Sequence, residues 1–314
     1  MIGGTHFARR LCVTRRRCTN ATTRLETTQV EPQASRLGTY NVVAPIARGG
    51  TSGVFVGEHV VTREKVALKV LDPFYRSHDE VVSRLLAERK VSMRVRHPSL
   101  VDVLHADRDG EMPYIVMEFL DGESLGTLAD RGQIEIDALV AIGAQIAGAL
   151  AALHNAGITH CDIKPDNVLV LYDSMGWPPR VKVIDFGVAR FAEEAPSENT
   201  IAGTPCYMAP EQWRGQPQSK SDVYALGCMM YELVCGDQPF HGTLPQLMLA
   251  HHEWLAERPS IHRSDVPAEL ERLIVRAMAK DPSLRPTMAE LEVGLRQILE
   301  NQPSVALEAT MAMA

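Results

Sequence analysis

The run His160-Cys161-Asp162-Ile163-Lys164-Pro165-Asp166-Asn167 decides how this chain reads. It sets a carboxylate, an ammonium and an amide oxygen on one short loop. Asp185-Phe186-Gly187 follows about eighteen residues after Asn167 and adds a second carboxylate beside a glycine. An acid to position a hydroxyl, a lysine to neutralise phosphate, and the oxygens of Asn167 and Asp185 to hold magnesium are the parts that phosphoryl transfer requires.

Upstream, Val66-Ala67-Leu68-Lys69 reads as a strand, and Ala47-Arg48-Gly49-Gly50-Thr51-Ser52-Gly53-Val54 as a loop between two strands. Glycines in such a loop let backbone amides approach phosphate with no Cβ in the way, although the loop alone reads equally well as a hairpin turn. A lone lysine in a strand or a lone glutamate on a helix is usually solvated. It is the order of Lys69, then Glu88 on the next helix, then His97-Pro98 that gives those two residues meaning. Downstream lie Gly203-Thr204-Pro205-Cys206-Tyr207-Met208-Ala209-Pro210-Glu211, then Ser221-Asp222-Val223-Tyr224-Ala225-Leu226-Gly227, then Arg285-Pro286.

Together these motifs resemble the eukaryotic-type serine/threonine protein kinases, in wording most like the bacterial ones, over about Tyr40 to Leu299. The resemblance implies an α+β, bilobal protein kinase fold that binds ATP and Mg2+ and phosphorylates protein substrates, itself included, in signalling. The N-lobe would span about 38–117, the hinge 118–122 and the C-lobe about 123–300. In that family Asp162 orients the acceptor hydroxyl, Lys164 and Lys69 meet the phosphates, Glu88 pairs with Lys69, and Asn167 and Asp185 hold the metal. The glycine loop, with Ile46, Ala47, Gly49, Gly50, Ser52, Gly53 and Val54, would cover the nucleotide. Ile46, Val54, Ala67, Leu169 and Ile184 would wall the adenine, with Met117 at the back of the pocket and backbone groups of Glu118 to Leu120 bonding the base. Lys164, two residues after Asp162, is the serine/threonine form of the loop. Thr204 would bond Asp162 and Lys164, Glu211 would pair with Arg285, and Asp222 would brace the catalytic loop.

The chain departs from the pattern at three places: Ala47 and Ser52 replace loop glycines, and Cys161 stands where an arginine is expected. A thiol cannot make an arginine's charge-assisted bonds to phosphate. Activation-segment phosphorylation at Ser197, Thr200 or Thr204 is therefore expected to have reduced leverage. Arg190 remains as a phosphate partner, and Glu193, Glu194 and Glu198 supply negative charge already. Cys161 could also act as a redox handle, against which an inert small side chain is the plainer expectation. Two other readings remain: a pseudokinase scaffold that binds nucleotide without turnover, which draws on the same departures, and a small-molecule phosphotransferase sharing the fold. The GTPCYMAPE segment, which builds a peptide-acceptor surface in the family, speaks against the second.

The composition fits an ordinary soluble domain: 314 residues, 45% hydrophobic and 23% charged. A net charge of −7 argues against nucleic acid as a partner. The six cysteines form no C-x-x-C pair, so reduced thiols and a cytoplasmic location are expected. The longest apolar run, Ala138 to Leu153, falls short of a membrane span and reads as a buried C-lobe helix, so no integral membrane segment is expected. Residues 1–37 are Arg- and Thr-rich and acid-poor, loosely like an organellar transit peptide, and read as a disordered tail. Within it Thr27 and Thr28 are acid-flanked, a candidate autophosphorylation site for a phosphothreonine-reading partner. Residues 301–314 read as a second disordered tail.

Periodicity gives strands at Tyr40–Ala47, Val54–Val56, Lys65–Val70, Val101–His105 and Tyr114–Glu118, with a helix at Asp79–Val95. Helices follow at Ser124–Arg131, Asp137–Ala156, Ser219–Cys235, Pro245–Ala256, Pro267–Ala279 and Thr287–Leu299. A β-rich lobe followed by an α-rich lobe leaves a crevice where ligands bind.

Overall fold

The computed structural model describes residues 36–172, 178–193 and 202–301. The expected sites at Thr27, Thr28, Ser197 and Thr200, and both tails apart from Arg36, Leu37 and Asn301, lie outside them.

The N-lobe comprises β1 (Arg36–Leu37), β2 (Tyr40–Arg48), β3 (Ser52–His59), β4 (Lys65–Leu71), α1 (Asp79–Arg94), β5 (Val103–Asp109) and β6 (Met112–Glu118). The strands form one antiparallel six-stranded sheet of order β1-β2-β3-β4-β6-β5. The alternation of strand side chains splits β4 between two cores. Val66 and Leu68 join Leu37, Tyr40, Phe55, Tyr114 and Val116 on the outer face. Ala67 and Leu71 face the other way with Ile115 and Met117, toward α1. Lys69 lies between Ala67 and Leu71 in that alternation, so the strand's own parity directs its ammonium under α1.

The sheet begins at Arg36, four residues before the expected first strand at Tyr40. Leu37 is buried, Arg36 and Leu37 pair with Asn41 and Tyr40, and Gly38 makes the turn at φ 51°. A Cβ at Gly38 would lie 2.4 Å from the Tyr114 hydroxyl, so the turn needs glycine for space as well as backbone conformation. β5 starts at Val103 rather than Val101. The Val101 N–H is committed instead to the Val183 carbonyl at 3.0 Å, where the N-lobe meets the strand that precedes Asp185.

The C-lobe runs β7 (Gly122–Ser124), α2 (Leu125–Arg131), α3 (Ile136–Asn155), β8 (Ile158–Thr159), β9 (Val168–Leu171), β10 (Val181–Val183), β11 (Arg190–Phe191), α4 (Ser219–Cys235), α5 (Leu244–Glu253), α6 (Pro259–His262), α7 (Ala268–Ala277) and α8 (Met288–Asn301). The short strands form two small sheets, β10-β9-β7 and β11-β8. These strands and α6 are too brief to show a period, which is why the sequence does not announce them.

Helix starts follow local chemistry. Ser124 Oγ accepts the Thr127 N–H at 3.1 Å ahead of α2, and Thr287 and Glu290 cap each other ahead of α8. Helix α4 ends at Gly236, in the left-handed conformation at φ 82°. It is buried without a break from Ser221 to Val234, the mark of a helix enclosed on all sides. Against the expectation that the apolar run falls short of a membrane span, helix α3 extends it to 20 residues and is long and apolar enough to cross one by length and composition. It is packed instead against α8 and α4, with Leu139, Ile146, Leu150 and Leu153 fully buried.

Candidate active site

Strand β8 delivers the chain into the loop that opens at His160. Asp222, buried on α4, accepts the backbone N–H of His160 on Oδ2 and that of Cys161 on Oδ1, each at 2.8 Å, and its Oδ2 also meets His154 Nε2 at 2.8 Å. Cys161 is held at φ 68°, a conformation that costs a non-glycine residue about 1–2 kcal/mol. Its carbonyl accepts Gln212 Nε2 at 2.6 Å, so the strained residue is tethered at both ends. Gln212 also donates to the Ala202 carbonyl at 2.7 Å, tying the loop to the residues before Thr204.

The tethers aim Asp162 into the cleft. Thr204 Oγ1 donates to Asp162 Oδ1 at 2.7 Å, Lys164 Nζ donates to Thr204 Oγ1 at 2.8 Å, and Lys164 Nζ lies 2.9 Å from Asp162 Oδ2. Asn167 Nδ2 donates to the Asp162 carbonyl at 2.8 Å and to its Oδ2 at 3.1 Å. Both bonds are made by the amide nitrogen, so neither engages the Asn167 side-chain oxygen.

Across the cleft Lys69 Nζ donates to Glu88 Oε1 at 2.5 Å and to Asp185 Oδ1 at 3.0 Å. Burial disfavours the Lys69 ammonium, but Glu88 and Asp185 together hold its pKa above the ordinary value. Burial pushes the Glu88 carboxyl up to about 7 against the pull of Lys69, and its buried Oε2 has no hydrogen-bond partner among the described residues. Asp185 is held below the usual carboxylate range: burial works against this, and Lys69 and the Gly187 N–H outweigh it. Phe186 is fully buried and meets His160 edge-on at 5.3 Å, which anchors the Asp185 backbone at its own positive φ of 66°.

The loop over the cleft joins β2 to β3, with Ala47 paired to Val54, Arg48 to Gly53 and Val54 in turn to Lys69. The Gly49 N–H closes the turn on the Ser52 carbonyl at 2.8 Å, and Gly50 faces open space. Ala47 and Ser52 therefore sit in the strand ladder, at the base of the loop, where no positive φ is required. Ile46 is half exposed at the mouth, Met117 lies opposite Ala67 in register, and Leu169 and Ile184 are partly buried on the C-lobe side. One expectation for the hinge is narrowed. The Glu118 N–H is already bonded to the Asp102 carbonyl at 3.0 Å, so it is not available to a base. The Glu118 carboxylate points behind the hinge, accepting Lys182 Nζ at 2.6 Å and the Asp102 N–H at 2.8 Å.

Glu211 and Arg285 form a buried bidentate pair at 2.7 and 3.0 Å. Every remaining Arg285 N–H direction is met by a carbonyl, from Ala279, Lys220 and Lys280. Lys182, Gln212, His154 and Ser221, which donates to Glu211 at 2.6 Å, also support the site and escaped the sequence reading. The alternation of Val181, Lys182 and Val183 could have flagged Lys182 as facing away from the core; nothing local distinguishes the other three.

The Cys161 thiol is buried, with Sγ 3.6 Å from the Thr159 carbonyl. Burial pushes its pKa well up, Asp222 adds to this, and Arg190 opposes it. Asp162 raises it as well, by less than burial and Asp222 do. This is the environment of an inert thiol.

The donor set suits magnesium. Asn167 and Asp185 offer hard oxygens, and Asp185 Oδ2 carries no hydrogen bond among the described residues. No group of three or more His, Cys, Asp or Glu side chains is placed to hold a metal among those residues.

The family model for the protein kinase domain matches residues 40–294. The chain is similar to the serine/threonine-protein kinase Pkn1 of Myxococcus xanthus, at 38% identity over 80% of this chain and 36% of that protein. It is also similar to PknL of Mycobacterium tuberculosis, at 37% over 78% of this chain and 62% of that protein. PkaA of Streptomyces coelicolor is 37% identical over 83% of this chain and 50% of that protein. The chain thus spans between about a third and somewhat under two thirds of the length of these relatives. With a match over this span, the two lobes and the paired carboxylates of the cleft, the chain belongs to the protein kinase family.

Proposed function

We propose that this chain transfers the γ-phosphoryl group of ATP, with Mg2+, to serine and threonine hydroxyls of proteins, its own among them. The observation that carries the proposal is the closed set Asp162–Thr204–Lys164–Asn167, with every contact between 2.7 and 3.1 Å. Asp162 is oriented by three neighbours and presents a carboxylate to an incoming hydroxyl, whose proton it accepts. Lys164 bridges Asp162 and Thr204 and places positive charge where the transferring group gains negative charge. Lys69, held under α1 by Glu88, meets the phosphates from the N-lobe side. When bound between Asn167 and Asp185, the metal supplies charge neutralisation to the phosphate oxygens.

The first test is transfer of labelled γ-phosphate from Mg-ATP by the wild type and by Asp185→Ala. Label on Ser or Thr in the wild type and its loss in the variant is the expected result. Absence of label in both, with nucleotide still bound, would return the scaffold reading, for which the intact site offers no support. Label on a sugar or other small molecule and on no protein would favour the phosphotransferase alternative. Reading of phosphorylated Thr27 or Thr28 by a partner is a subsidiary proposal, which mass spectrometry after prolonged autophosphorylation tests directly.

A further inference from the structure

We infer that Arg94 is a positioning residue that fastens α1, and with it Glu88 and Lys69, to the strand that feeds the catalytic loop. The inference rests on the kinase reading and goes beyond it. Arg94 lies in the last turn of α1, six residues after Glu88. Its guanidinium carbon stands 4.8 Å above the centre of the Phe191 ring, and its Nη1 forms an ion pair with Glu193. Lys90, one turn earlier on the same helix, adds its ammonium 5.9 Å from that ring.

Phe191 belongs to the C-lobe. It is buried, pairs with Ile158 across β11 and β8, and is followed by an Ala192 N–H bonded to the Gly157 carbonyl at 2.8 Å. Strand β8 runs directly into His160, Cys161 and Asp162. Arg94 therefore spans the lobes from the helix that holds Glu88 to the strand that holds Asp162. A guanidinium suits this place because its flat face stacks on the ring while an edge pairs with a carboxylate; an ammonium cannot do both. Both charges of the clasp are encoded in the chain, so it closes without a phosphate. Cys161, a buried thiol, offers no cation of its own to this junction. The active arrangement is thus held by Arg94, Phe191 and Glu193 in the unmodified protein.

The test is a rate measurement on phosphatase-treated chain with a mixed Ser/Thr peptide pool, comparing wild type, Arg94→Ala, Arg94→Lys, Arg94→Glu, Glu193→Arg and the double variant Arg94→Glu/Glu193→Arg. Thermal unfolding is read alongside. Expected are measurable wild-type turnover and a fall in kcat of about tenfold for Arg94→Ala with peptide KM within about twofold. Arg94→Lys should recover part of the rate, and the double exchange should run well above Arg94→Glu. A residue acting only through stability would lower the unfolding midpoint without that recovery. Arg94→Glu at the wild-type rate, or a double exchange no faster than Arg94→Glu, overturns the inference. If Arg94→Ala does not fold, Glu193→Arg at its exposed position decides: a slowed rate supports the clasp and an unchanged rate refutes it. A wild type that transfers no label either after phosphatase treatment or after prolonged incubation with Mg-ATP overturns the kinase reading and this inference with it, whereas a wild type active only after that incubation, or an active wild type with an equally active Arg94→Glu, overturns this inference alone.

Discussion

Replacing Asp222 by Asn tests whether the catalytic loop is held from below. The carboxylate meets three N–H groups, two from the backbone of His160 and Cys161 and one from His154, all at 2.8 Å in a buried site. Asn keeps the shape but presents one oxygen and one NH2. Whichever way the amide turns, at least one buried backbone N–H faces a donor. Losing one charge-assisted bond costs about 1.5–3 kcal/mol, and neutralising the acceptor weakens those that remain. The sum should be about 3 kcal/mol, a fall in melting temperature of about 6–12 °C for a domain of this size. The rate should fall further than stability alone explains, because Cys161 keeps its φ of 68° only while both of its backbone groups are tethered. Release of about 1–2 kcal/mol of strain favours a relaxed loop in which Asp162 is misdirected, so turnover should drop roughly tenfold. Urea unfolding and γ-phosphate transfer at saturating ATP provide the two readings. A stability change below about 1 kcal/mol together with a rate within a factor of two of wild type would refute the bracing role.

Arg285→Ala should destabilise the chain by about 3–5 kcal/mol, since it strands Glu211 in a buried site; a double-mutant cycle with Glu211→Ala should show the two losses are far from additive. The catalytic efficiency for ATP should fall as pH drops through about 7, because protonation of Glu88 loosens its grip on Lys69. Stability should run the opposite way: the folded-state carboxyl titrates above the unfolded value of 4.5, so its contribution is fully present below that value and lost as pH rises through about 7. Glu88→Gln should flatten both profiles, and an unchanged acid limb in that variant would remove Glu88 as its source. Site-mapped alkylation of the native protein should spare Cys161 until denaturant is added, and mild peroxide should leave the rate unchanged; rapid labelling of Cys161 in the folded state would contradict the burial argument.

The parts of this protein that repeat or punctuate could be read from the chain. Helix α4 begins and ends where the sequence places it, because its length, its capping residues and Gly236 are local signals. Lys69, Glu88, Asp162, Asn167 and Asp185 were legible because each sits in a short motif whose chemistry makes sense only with the others. The strands β7 to β11 were not, since two to four residues carry no period. Sequence alone determined the order of the lobes and the identity of the groups that meet in the cleft, because strand parity, helix caps and motif spacing are properties of neighbouring residues. Only the tertiary structure decided which groups hold those residues in place. Gln212 and Asp222 reach Cys161 across 51 and 61 residues, Lys182 reaches the hinge across 64, and Arg94 finds Phe191 only when the lobes meet. Contacts between distant segments depend on packing geometry and burial, which no local pattern encodes.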